Sequence, residues 1–120
     1  MTPIHVAKFG GTSMADPDAI QACVQVVEQT QNPTLVVVSA CAGVTNLLIR
    51  LADSQTSVEK QRLFTEIKDK HNGIARATTA AEVCLQQLDE LHQQLWQVVD
   101  SDIPSSLAER ARRRDQIVSF

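Results

Sequence analysis

Ile4-His5-Val6-Ala7-Lys8-Phe9-Gly10-Gly11 is the stretch on which the fold turns. A short, mostly apolar run closed by paired glycines fits a strand, because a helix needs about twice that length to be stable. After Thr12-Ser13-Met14-Ala15, the pair Asp16-Pro17 reads as a helix N-cap followed by proline at the first helical position, where its missing N–H is no loss. Ile20, Cys23, Val24 and Val27 then mark one face of a helix that ends before Asn32-Pro33. Just past that proline, Leu35-Val36-Val37-Val38 is an unbroken apolar run of the kind expected for a central strand covered on both faces. Strand, helix, strand in this order is a βαβ unit with parallel strands and a right-handed crossover.

Beyond Ala42 no strand-like run returns. Leu47, Leu48 and Leu51 suggest a short helix after Gly43, and Ser54-Gln55-Thr56-Ser57 a polar connection. Leu63, Phe64, Ile67 and His71 mark the next helix, with Asn72-Gly73 as a place for it to end or bend. Cys84, Leu88, Leu91, Leu95 and Val98 form an apolar seam of alternating four- and three-residue steps. Asp100-Ser101-Asp102 supplies cap candidates ahead of Pro104, and Leu107, Ala111 and Ile117 fit a last helix.

The 120 residues, 43% hydrophobic and 21% charged with four glycines and four prolines, describe one soluble globular domain or part of one. A net charge of -3 gives no global positive field, so nucleic acid is not an expected partner. No apolar segment approaches the roughly 20 residues needed to span a bilayer, and the N-terminus lacks a secretion signal. A cytoplasmic location with no membrane partner is the expectation. Cys23, Cys41 and Cys84 are widely spaced, lack a C-x-x-C pair and read as reduced core thiols.

Chemistry concentrates in two loops. In Lys8-Phe9-Gly10-Gly11-Thr12-Ser13 the glycines free the backbone to aim N–H groups at a ligand, Thr12 and Ser13 add hydroxyls, and Lys8 adds a cation. The lysine precedes the glycines, so this is no Walker A loop, and no complete G-x-G-x-x-G is present. Phosphate binding and a plain glycine turn with an exposed lysine are both open on the pattern. The second loop, Ser39-Ala40-Cys41-Ala42-Gly43-Val44-Thr45-Asn46, follows the second strand. In a parallel sheet ligands sit beyond the carboxyl ends of the strands, so the two loops belong on one edge. Ser39 and Thr45 could donate to a phosphate or carboxylate, or Thr45 or Asn46 could cap the next helix.

Val6-Ala7-Lys8-Phe9-Gly10-Gly11-Thr12-Ser13 resembles the opening signature of the aspartate kinases, and the Ser39–Asn46 loop is similar to the family's second loop. Arg114-Asp115-Gln116-Ile117-Val118-Ser119-Phe120 resembles the approach to the family's Gly-Glu pair, which is missing here. The spacing looks most like the monofunctional, lysine-sensitive type. The resemblance implies an α/β fold, part of the amino-acid-kinase αβα sandwich, with residues 1–120 as the N-terminal portion of its catalytic domain, a parallel βαβ start followed by a helical segment. It implies ATP-dependent phosphorylation, with Mg²⁺, of the L-aspartate side-chain carboxylate to 4-phospho-L-aspartate, the first step of lysine, threonine and methionine biosynthesis. Lys8 is then the catalytic contact to the transferring phosphate. Gly10, Gly11, Thr12, Ser13 and Ser39 join it at the ATP phosphates, and Thr45 lies at the aspartate site. No metal ligand is assigned in this chain. Family members are longer, with regulatory ACT domains and the remaining site residues beyond Phe120, so the fragment alone is expected to be inactive and the full-length protein a homo-oligomer. A glutamate-kinase-like enzyme keeps the first loop but leaves the second unexplained, and a helical interaction module would make both loops purely structural.

Other features carry less. Arg110, Arg112, Arg113 and Arg114, flanked by Glu109 and Asp115, read as a solvated helix face. His71 and His92 lie on separate helical segments and read as core-edge or surface histidines, and His5 is assigned no role. Trp96 reads as ordinary helix packing.

Overall fold

The computed structural model describes residues 2–120. The chain divides into two compact units, the first ending at Gly43 and the second running from Val44 to Phe120. The first holds strand β1 (His5–Phe9), a 3-10 turn (Gly11–Met14), helix α1 (Pro17–Glu28) and strand β2 (Thr34–Val38). The two strands pair in parallel, with His5 opposite Thr34 and Phe9 opposite Val38. The punctuation acts as the sequence suggests: Asp16 caps α1 by accepting from Ala19 N–H at 2.8 Å, and Pro17 opens the helix.

Side chains alternate across a strand, so Phe9, Val36 and Val38 share one face, and these three line an apolar cavity of about 260 Å³ with Ile20, Val24 and Val27 of α1. The opposite face carries Val6, Lys8, Leu35 and Val37, all exposed. The continuous apolarity of β2 led to the expectation of a strand covered on both faces. Instead Leu35 is 59% exposed and Val38 60%, because two strands and one helix supply too few layers to cover it. Among the described hydrophobic residues of this unit only Met14 and Cys23 are buried.

The second unit is all helix: α2 (Val44–Asp53), α3 (Ser57–Arg76), α4 (Ala81–Val99) and α5 (Leu107–Val118). Helix α2 packs against α3 and α5, and α4 also packs against both. Leu51, Leu63, Ile67, Val99 and Ile117 are almost wholly removed from water at the centre. Thr56 and Ser106 cap α3 and α5 by accepting from Glu59 and Glu109 N–H at 3.3 and 3.2 Å. Ser106, rather than Asp100 to Asp102, is the cap of the last helix, since α4 extends to Val99 and Asp100 closes it through a bond to Trp96 C=O.

Three details depart from the sequence reading. Helix α3 runs through Asn72-Gly73 to Arg76, because an exposed glycine without positive φ weakens a helix by about 1 kcal/mol and does not stop it. The buried seam of α4 is His92, Leu95 and Val99, with Leu91 half exposed. A histidine taking a core position shifts the stripe by one residue from the purely apolar pattern. Of the cysteines only Cys23 is buried, while Cys41 and Cys84 are intermediate. Trp96 packs on Phe64 with ring centroids 4.8 Å apart, the ordinary helix contact expected of it.

Candidate functional site

Both strands end at the same edge of the sheet, and their loops follow there side by side. Ser39 N–H donates to Phe9 C=O at 3.0 Å, extending the ladder one residue past β2. A β-carbon at Gly11 would lie 3.7 Å from Ala40 C=O, so the first and second loops touch. Ser13 N–H donates to Gly10 C=O at 3.0 Å, closing the 3-10 turn, and Cys23 Sγ donates to Ser13 C=O at 3.6 Å, tying that turn to α1. The arrangement thus gathers Lys8, Gly10, Gly11, Thr12, Ser13 and Ser39 at one end of the sheet unit.

The paired glycines serve a purpose other than a left-handed turn. Gly10 has φ -79°, and neither it nor Gly11 has positive φ. Nothing lies within 4 Å of a β-carbon built at Gly10, and at Gly11 only the Ala40 carbonyl does. Neither the backbone conformation nor the packing of this chain demands glycine there. What their missing side chains leave is open space over the backbone, the property a loop needs if an anion is to approach its N–H groups. The one glycine with positive φ is Gly43, at 82°, in the second loop.

Lys8, Thr12 and Ser39 are exposed and Ser13 is half-buried. Among the described residues Lys8 makes no ion pair within 4.0 Å, and the hydroxyls of Thr12, Ser13 and Ser39 make no hydrogen bond. An open depression of about 390 Å³ beside the first loop is lined by Phe9, Thr12, Ser13, Ala22, Cys23 and Val26, without Lys8. Thr45 belongs to the second unit, where it is exposed in the first turn of α2. Since α2 begins at Val44, neither Thr45 nor Asn46 is its N-cap, which removes the capping reading for both.

In the helical unit the two histidines read as core-edge or surface residues form a pair that their separate segments do not suggest. His71 Nδ1 and His92 Nε2 are 2.9 Å apart, with the rings stacked at 5.2 Å and 7° between planes. Burial lowers the pKa of His71 below 6.5. For His92 burial, then the nearby positive charges of His71 and Lys68, lower it to about 4 against an opposing pull from Asp89. The signal was present in the spacing, because His71 follows Leu63 and Ile67 by four-residue steps, and His92 precedes Leu95 by three. Arg113 is the second correction: it is buried, 8% exposed, and donates from its two terminal nitrogens to Val99 C=O at 2.9 Å and Ala52 C=O at 3.4 Å. It closes the C-terminal ends of α4 and α2, where a cation is favoured, while Arg110, Arg112 and Arg114 remain exposed. Among the described residues no three His, Cys, Asp or Glu side chains gather as a metal site, and no helix is long and apolar enough to cross a membrane.

Comparison with known proteins bears on the whole chain. It is similar to the Haemophilus influenzae protein named "Putative inactive aspartokinase 3", 43% identical over 76 residues that make up 63% of each chain. It is also similar to the lysine-sensitive aspartokinase 3 of Escherichia coli, 32% identical over 119 residues, 99% of this chain and 26% of that one. In structure it superposes on E. coli aspartokinase III solved in complex with aspartate and ADP, with a TM-score of 0.85, covering 98% of this chain and 26% of that one. The chain therefore spans about a quarter of the length of the E. coli enzyme that it matches almost end to end. Residues 3–119 match the amino acid kinase family, and with the parallel βαβ start and the paired loops at its edge the chain belongs to that family.

Proposed function

We propose that this chain supplies the phosphate-facing loops of an aspartate kinase, whose reaction moves the γ-phosphoryl group of ATP to the side-chain carboxylate of L-aspartate, releasing ADP and 4-phospho-L-aspartate. The contact between the two loops at the carboxyl edge of the sheet carries the reading, with Ser39 bonded to Phe9 and Gly11 against Ala40. Phosphoryl transfer needs positioned donors and cationic charge around the equatorial oxygens and little covalent help from the protein. Lys8 would offer its unpaired ammonium to the transferring group. The open backbone at Gly10 and Gly11 and the free hydroxyls of Thr12, Ser13 and Ser39 would hold phosphate oxygens. Thr45 would contact the aspartate. The E. coli relative solved with aspartate and ADP supports this choice of substrates.

Mg²⁺ is not assigned to side chains of this chain, because the described residues bring together no three candidate ligands. Such an ion commonly stays with the nucleotide phosphates and water. On this reading the complete protein works in the cytoplasm as a homo-oligomer, in the biosynthesis of lysine and related amino acids. These residues on their own are inactive, since they span only a quarter of the E. coli enzyme.

A chimera tests the assignment. Residues 3–119 replace the aligned quarter of the E. coli enzyme, and ATP- and aspartate-dependent ADP release is measured. The chimera should turn over, and Lys8→Ala within it should lower kcat by about 100-fold or more with little change in thermal stability. A folded chimera in which Lys8→Ala leaves kcat intact would remove Lys8, and with it this reading, from the phosphate site.

A further inference from the structure

A second place in the molecule has the chemistry of a ligand site. Between the end of α2 and the start of α5, a cleft of about 390 Å³ is lined by Asp53, Gln55, Ile103, Arg110, Arg113 and Arg114. Three arginines and one aspartate line it. Arg114 Nε lies 3.2 Å from Asp53 Oδ1, and Arg110 Nε donates to Pro104 C=O at 2.6 Å. Among the described residues the terminal nitrogens of both arginines have no partner, which leaves their forks available.

Arg113 gives an independent reason to expect an anion. Its side chain is buried, yet no carboxylate lies within 4.0 Å of it among the described residues, and its Nε–H is buried without a hydrogen-bond partner. The two helix C-termini that it bonds offset part of the charge. A buried cation lacking a full counter-ion remains costly, and a neighbouring anion would relieve it. Planar guanidinium forks match the oxygen spacing of phosphates and carboxylates. The cleft is of the size that takes a small molecule.

We infer that this cleft binds a small oxyanion, a phosphate or carboxylate group seated on Arg110 and Arg114 with Arg113 behind it. The site lies wholly within the helical unit and does not depend on the kinase reading. The test is an amide NMR titration of the whole chain, once with inorganic phosphate and once with succinate, at low ionic strength. Saturable shifts at Asp53 to Gln55, Ile103 and Arg110 to Arg114 with either probe support the site, and the probe that binds identifies the oxyanion. Arg110→Gln and Arg114→Gln should each weaken binding by about tenfold, the worth of one charge-assisted hydrogen bond. Asp53→Asn should tighten it, a gain that loss of folding cannot imitate. Absence of saturable shifts with both probes, or affinities indifferent to all three substitutions, overturns the proposal.

Discussion

In the helical unit Leu51, Leu63, Val99 and Ile117 are completely out of water, whereas in the strand unit Leu35 and Val38 keep 59% and 60% of their surface exposed. Both regions spend comparable apolar side chains. The difference is geometric: four helices can turn one stripe each toward a common centre, while a sheet has two faces and needs a layer on both. The strand unit has one helix to offer, and even on that side an apolar cavity of about 260 Å³ remains. The helical region therefore carries its own core, and the strand region presents the family's loops on a scaffold that is still open.

The sharpest way to break this contrast is to remove equivalent side chains from each region. Leu63→Ala should lower stability to urea by about 2–5 kcal/mol, the usual range for emptying a buried leucine site. At the other extreme, Leu35→Thr should change it by about 0.5 kcal/mol or less, because an exposed strand position buries little and threonine is itself a good strand residue. Equal losses at the two sites, followed by far-UV circular dichroism, would show that the strand unit is packed as tightly as the helical one.

Between these lies the effect of acid, which should also be confined to the helical side. The pKa of His92 sits at about 4 in the folded chain against 6.5 when exposed, so between these values the unfolded chain takes up a proton that the folded chain refuses. Stability is thus fully present above pH 6.5 and declines as pH falls toward 4, by an amount on the order of 2 kcal/mol after allowance for solvent screening. His92→Gln should flatten that dependence. A flat profile in the unaltered chain would mean that the stacked imidazole pair does not resist protonation.

How much of this was legible in the residues follows from what each signal depends on. The strand–helix–strand start was readable nearly to the residue because Gly10, Asp16-Pro17 and Pro33 are local devices whose effect does not wait for packing. Apolar type alone misplaces the seam of α4, because His92 is buried against another histidine twenty-one residues away. Arg113 was hidden among its neighbours for a related reason: with four arginines in five residues only the turn of the helix decides which one faces inward, and only the ends of α2 and α4 make that position acceptable. The loops were legible as a motif, and the sheet brings them together. Thr45 lies on the other unit, so its role rests on the proposal alone.

The bond from Arg113 to Ala52 joins residues 61 apart in sequence and fastens the first helix of the unit to its last. Contacts of such separation are slow to form, because the intervening chain must lose its freedom before they give anything back. Helices α3 and α4 can pair as a local hairpin soon after both exist, but α2 must wait for α5. During synthesis the leucines of α2 therefore have no finished seat until α5 has cleared the ribosome, and the stretch from Val44 to Asp53 is where a nascent chain would be most open to chaperone or protease.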